Sequence, residues 1–310
     1  MFLAKTVSGL AAVLATAALA APAEQTFTLR DRLGHAFAAS APAPVLQPPR
    51  EEQFTATYDK TVQKYLVLLP TGFDPDAARD LLVTFHGHGA DRRQFATDAR
   101  GECRGARDVA ARRGMILVSP DYRAPAGWMG AAAEADTVQL IGELRKAYKV
   151  KKVYLVGGSM GGAAVLTFTA LHPDLVDGIA SLNGLANFLE YEVDLNYVVS
   201  IQEAIKDAFG GRKDETPADY RKRNPAEYRK RSAEFNPGKF TMPLAVTVGR
   251  KDALVPPQSV LRLAEAVKKT NPNVLVIDRS EGGHETTYAD TVAALEFVIG
   301  ATEKAGPSKP

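Results

Sequence analysis

Val153-Tyr154-Leu155-Val156-Gly157-Gly158-Ser159-Met160-Gly161-Gly162 is the stretch from which the fold can be read. The apolar, largely β-branched run reads as a buried strand. Ala163-Ala164-Val165-Leu166 continues it as a helix. A serine on so sharp a strand-to-helix turn sits in a sparsely populated backbone region, its hydroxyl projecting from the end of a sheet. Gly157 and Gly161 remove side chains where strand and helix would otherwise collide. The helix N-terminus favours negative charge developing beside the serine. A plain glycine-rich turn is the competing account, and residues elsewhere in the chain decide between the two.

Outward from this turn, strands alternate with helices. Phe54–Tyr58, Tyr65–Leu69, Leu81–Phe85 and Met115–Ser119 read as strands before it. A helix is expected over 93–112, and an amphipathic one over Glu134–Tyr148, with Val138, Ile141, Leu144 and Ala147 on one stripe. After the turn, Gly178–Leu182, Pro243–Val248 and Asn273–Asp278 read as strands. Ser259–Lys269 and Thr286–Ile299 read as helices. This rhythm predicts the α/β class, a mostly parallel, doubly wound sheet covered on both faces. In such sheets the site lies at the carboxyl ends of the strands. Residues 185–240 break the rhythm; helix-prone and polar, they read as an inserted lid or cap.

The 310 residues suffice for one large α/β domain, assigned to 51–302 with a frayed tail over 303–310. The 38 basic and 36 acidic residues leave a formal charge of +2, so nothing points to nucleic acid or an anionic membrane as partner. Residues 1–23 read as a secretory signal: Lys5, the apolar run Val7–Leu19, then small residues suited to cleavage. The expectation is export, periplasmic or extracellular, with no stable membrane anchor after cleavage. The Ala- and Pro-rich stretch 24–50 reads as a linker. Cys103 is the single cysteine, so an exported chain has no internal disulfide and Cys103 reads as structural.

A serine hydroxyl needs a base within hydrogen-bond reach, and the base needs an orienting group. Of the five histidines, His35 precedes the domain and His172 follows the serine helix, where a helix-end role is the plainer reading. His284, in Glu281-Gly282-Gly283-His284, leaves the last strand at the edge of the sheet that carries Ser159. The acid should also leave a strand's carboxyl end, as Asp252 does; Asp278 and Glu281 are its competitors. An oxyanion needs two preorganised donors. The backbone N–H groups of Met160 and of His88, in His86-Gly87-His88-Gly89, are the candidates. His86 and His88 with Asp91 offer a rival metal-site reading, which lacks a third histidine nearby. Trp128 is a candidate pocket residue or a packing residue.

Together His86-Gly87-His88-Gly89, Gly157-Gly158-Ser159-Met160-Gly161-Gly162, Asp252 and Gly283-His284 resemble the α/β-hydrolase superfamily over residues 54–300. Trp128 with Glu134-Ala135-Asp136, Phe209-Gly210-Gly211 and the segment Pro217–Pro225 are similar to prolyl-oligopeptidase-like esterases and peptidases. The resemblance implies Ser159 as nucleophile, His284 as base, Asp252 as acid and no cofactor. Those peptidases carry a β-propeller before the catalytic domain, which a short Pro-rich stretch cannot form; this favours an ester, including acetyl or feruloyl esters of carbohydrates. A small serine peptidase or acyltransferase on the same groups is the alternative, and a non-enzymatic binding protein the remote one. Within 185–240, Arg221-Lys222-Arg223 and Arg229-Lys230-Arg231 read as a solvated face. The sharper expectation is that Arg223 holds a carboxylate or sugar hydroxyl of the substrate.

Overall fold

The computed structural model describes residues 45–191 and 196–305. The leader assigned to 1–23, residues 24–44 of the linker and the tail from 306 lie outside the described residues. Eight strands run β1 Arg50–Thr55, β2 Val62–Leu68, β3 Arg79–Phe85, β4 Ile116–Pro120, β5 Val150–Gly158, β6 Gly178–Leu182, β7 Leu244–Gly249 and β8 Val274–Arg279. They form one sheet in the order β1-β2-β4-β3-β5-β6-β7-β8. β1 with β2 and β2 with β4 are antiparallel, and every other pair is parallel. Strands β4, β6 and β7 are buried throughout their length, which is why they read as continuous apolar runs and not as alternating ones.

The helices are α1 Arg93–Thr97, α2 Gly101–Arg113, α3 Ala131–Ala147, α4 Met160–Leu171, α5 Asn196–Ala208, α6 Pro217–Arg223, α7 Pro225–Arg231, α8 Gln258–Lys268 and α9 Tyr288–Lys304. One apolar core unites the α1, α2 and α9 face of the sheet, through Phe95, Cys103, Val109, Leu295 and Val298. A larger core on the other face joins α3, α4 and α8 to the insertion.

Three of the differences from the sequence reading have a local physical cause. The helix expected over 93–112 is two helices, because Asp98 turns extended and its carboxylate takes the Arg100 N–H at 2.9 Å, a local bond that competes with helix. The linker ends early. Leu46 bridges Pro70, the Gln47 N–H donates to the Leu69 carbonyl at 2.7 Å, and β1 begins at Arg50. The last helix continues past Ala301 to Lys304, started by the Thr287–Asp290 capping box and held near its end by Thr302 Oγ1 donating to the Asp177 carbonyl at 3.1 Å.

Candidate active site

The serine turn is built by exclusion. Ser159 has φ 57° and ψ −119°, a strained conformation for a residue with a side chain. A Cβ on Gly161 would stand 2.0 Å from the Phe85 carbonyl oxygen, and one on Gly157 2.5 Å from the Gly161 backbone. Only glycine lets α4 start this close to β3 and β5. The Ser159 N–H donates to the Leu182 carbonyl at 2.8 Å, tying the turn to β6.

Two loops from the carboxyl ends of β7 and β8 complete the constellation. His284 Nε2 lies 2.8 Å from Ser159 Oγ, and its Nδ1 lies 2.7 Å from Asp252 Oδ2. The other Asp252 oxygen accepts the Leu254 and Val255 N–H groups at 2.9 and 2.8 Å. The carboxylate is thus fixed in a buried position and directed at the ring. With Nδ1 protonated toward Asp252, Nε2 presents its lone pair to the serine hydroxyl, which is the arrangement a general base requires. The competing acids are engaged elsewhere: Asp278 pairs with Arg250 at 2.5 Å, and Glu281 with Lys251.

Asn183 is a positioning residue that the sequence reading missed. It stands at the end of β6 with φ 45°. Its amide donates to the Gly283 and Glu285 carbonyls at 3.3 and 3.1 Å, bracketing His284, while its Oδ1 accepts from Thr247 Oγ1 at 3.0 Å. The signal was an Asn-Gly pair directly after a strand, a sequence suited to left-handed backbone.

The other loop carries His86–Gly89. The Gly87 N–H donates to Gln94 Oε1 at 2.7 Å and the Gly89 N–H to the Pro125 carbonyl at 2.9 Å, so both of these loop amides are committed to the protein. Gln94, buried on α1, anchors the segment that carries His88, the candidate second donor beside Met160. The His86 ring lies between the Gly87 and Asp121 carbonyls at 2.8 and 2.9 Å, and burial holds its pKa below that of an ordinary histidine. The His88 pKa is lowered by burial, and its Nδ1 accepts the Trp128 indole N–H at 3.2 Å. Asp91 pairs with Arg93 at 2.7 Å. His86, His88 and Asp91 therefore do not converge, and among the described residues no three His, Cys, Asp or Glu side chains are grouped as metal ligands. Cys103 is buried, and burial pushes its thiol up to about 12.

Ser159 and His284 open on a cavity of about 290 Å³. Trp128, Tyr191, Ile201, Leu254 and Val255 supply its apolar wall, so the insertion contributes two lining residues. Trp128 is both a lining and a packing residue: its ring meets Phe188 at 6.1 Å and Tyr191 at 6.5 Å, and it is 2% exposed. Arg223 corrects an expectation. It is absent from the cavity wall, pairs with Glu215 at 2.7 Å and lies over the Tyr220 ring, with its side chain 48% exposed. The inward arginine of the charged cluster is Arg231, 1% exposed. It donates to the Met129 carbonyl at 2.6 Å and pairs with Glu134 and Glu227 at 3.0 and 2.5 Å. It thereby ties α7 to the loop that carries Trp128. His172 ends α4 and meets the same Glu134 at 3.0 Å.

Comparison with known proteins agrees with this architecture. The family model for the alpha/beta hydrolase fold matches residues 67–212. A search of curated proteins finds no match. Among solved structures, the Pyrococcus furiosus esterase is 17% identical with a TM-score of 0.55, over 84% of this chain and 93% of that one. An acylaminoacyl peptidase of Pyrococcus horikoshii is 15% identical with a TM-score of 0.58, over 89% of this chain and 44% of its own. A Bacteroides ovatus protein described as a dipeptidyl aminopeptidase IV is 17% identical with a TM-score of 0.62, over 84% of this chain and 36% of its own. The chain thus spans less than half the length of these two peptidases. Strand order, serine turn and the match to the family model agree: the chain has the α/β-hydrolase fold.

Proposed function

We propose that the chain is a serine hydrolase that cleaves carboxylic esters, carbohydrate esters among them, through an acyl-enzyme on Ser159. The observation that carries this reading is the hydrogen-bonded run from Ser159 through His284 to Asp252 at the mouth of the cavity. Ser159 Oγ attacks the ester carbonyl carbon while His284 Nε2 takes its proton. Asp252 holds the ring and favours the imidazolium that forms. The carbonyl oxygen becomes an oxyanion assigned to the Met160 and His88 amides; one such donor is typically worth ~10²–10³ in rate. His284 passes its proton to the alcohol oxygen, which leaves. A water, deprotonated in turn by His284, then attacks the acyl carbon and frees the acid and Ser159.

The ester reading draws on the likeness to the Pyrococcus furiosus esterase, nearly all of whose chain is matched. A serine peptidase or acyltransferase on the same groups is the second reading, favoured by the likeness to the acylaminoacyl peptidase. A fluorophosphonate probe should label the protein and not Ser159→Ala, and aryl and alkyl acetates should be hydrolysed while short peptides are not. Labelling that survives the substitution would overturn the mechanism; faster cleavage of peptides would select the second reading. No cofactor enters this chemistry. Residues 1–23 serve export in this reading, so the full-length chain expressed in a bacterial host should appear outside the cytoplasm with a shortened N-terminus. An intact chain retained in the cytoplasm would refute export.

A further inference from the structure

The cavity has a second wall that the mechanism does not use. Gln94, Arg100 and Glu102 line it, together with Ser159 and His284. Gln94 belongs to α1 and Glu102 to the first turn of α2, on the sheet face opposite to the core that contains Trp128, Tyr191 and Val255. Ser159, at the end of β5, therefore stands between an apolar wall and a polar one.

Glu102 is the unusual member. Its side chain is 15% exposed and lies 3.6 Å from Arg100 Nη1 and 3.4 Å from Gln94 Nε2. A Cβ on Gly158 would meet Glu102 Oε2 at 3.0 Å, so the carboxyl sits directly against the serine turn. Burial raises its pKa above that of an ordinary glutamate, against the opposing pull of Arg100 and His284. The carboxyl can accept hydrogen bonds and, when protonated, donate one.

Beyond this wall the cavity continues into a more open trough of about 650 Å³. The two share Gly89, Ala90, Gln94 and Arg100. The trough is lined by ions that already hold their partners: Asp91 with Arg93 at 2.7 Å, Asp98 with Arg100 at 2.9 Å, and Arg92 with Asp121 at 2.9 Å. Such a wall makes no net demand for a charged ligand. It offers closely spaced donors and acceptors, the complement of a neutral molecule rich in hydroxyls. His284 must also protonate the departing oxygen, so the alcohol half of an ester lies beside His284, in the cavity that Glu102 also lines.

We infer that Gln94, Arg100 and Glu102 form the alcohol subsite of the enzyme, that the trough beyond them extends it, and that both take a polyhydroxylated alcohol of the sugar class. The acyl half then faces Trp128, Tyr191 and Val255. This inference rests on the ester-hydrolase reading of Ser159.

The test compares two esters that share an acyl group: a monoacetylated methyl xyloside and phenyl acetate. Glu102→Gln should lower the ratio of kcat/KM for the sugar ester over phenyl acetate by about 10-fold or more, the effect of losing a charged hydrogen bond. Arg100→Ala, a change at a half-exposed residue, should lower the same ratio. Free methyl xyloside should inhibit phenyl acetate hydrolysis competitively in the parent enzyme and less in both variants. An unchanged ratio and unchanged inhibition, in variants that still unfold cooperatively, would overturn the subsite. Failure of the parent enzyme to hydrolyse either ester or to react with fluorophosphonate would instead overturn the reading on which the subsite rests.

Discussion

Replacing Arg231 by methionine should damage the protein more than any other single change in the charged cluster. Methionine keeps most of the stem and removes the guanidinium. Three partners are then lost together: the Met129 carbonyl at 2.6 Å, Glu134 at 3.0 Å and Glu227 at 2.5 Å. Breaking a buried ion pair from one side costs about 3–5 kcal/mol, because the remaining charge is left uncompensated. Glu134 keeps His172, and the two carboxylates are 17% and 23% exposed, so water reaches them and the lower end applies, about 3 kcal/mol. For a domain of this size that corresponds to a fall in Tm of roughly 6–12 °C. The loss also reaches the cavity. Trp128 and Met129 have φ of 40° and 49°, strained values that the Arg231 bond helps to hold. Activity toward bulky acyl groups should fall with stability.

The same contact predicts a pH signature. Burial pushes the Glu134 carboxyl up, but its bonds to His172 and Arg231 more than offset this, leaving it below its ordinary value of 4.5. A carboxylate with a depressed folded pKa contributes stability above its unfolded pKa, lost as pH falls through the folded value. The Tm gap between the parent and Arg231→Met should therefore be full near neutrality and narrow below about pH 4.5. Thermal unfolding followed by circular dichroism across this range is the measurement. A fall in Tm of under about 2 °C at neutral pH would refute the assignment.

Other outcomes test the remaining claims. His284→Ala should match Ser159→Ala in abolishing hydrolysis, since the two groups act as a unit. Gly161→Ala places a methyl 2.0 Å from the Phe85 carbonyl oxygen and should give insoluble or inactive protein; a soluble, active variant would contradict the packing of the turn. Arg223→Ala should alter kcat/KM for sugar and aryl esters equally and by no more than about twofold, since its partner Glu215 belongs to the insertion itself.

What was legible in the sequence was local. The alternation of apolar runs with helical stripes is set by periodicities of two and 3.6, so the sheet and its flanking helices could be placed from the chain alone. The turn at Ser159 was legible because glycine at Gly157 and Gly161 and a serine between them leave few other conformations. His284 and Asp252 followed from one topological rule, that parallel strands present their loops at one edge.

The tertiary structure decided everything that depends on which neighbour a side chain meets. Asp278 and Glu281 are carboxylates as good as Asp252 in sequence, and they lose because Arg250 and Lys251 reach them first. Arg223 and Arg231 occupy the same kind of position in two similar short helices, Pro217–Arg223 and Pro225–Arg231. Only the packing of the second against the Met129 loop turns Arg231 inward. Gln94, Arg100 and Glu102 carry no motif; they become one wall because α1 breaks at Asp98 and α2 restarts against the serine turn. The sequence by itself determined the scaffold and the gathering of Ser159, His284 and Asp252 at one edge of the sheet, which short-range sterics and strand order fix. The walls of the cavity were decided in three dimensions, because they are made by contacts between segments far apart in the chain, and a sequence records the residues of such contacts without recording the pairing.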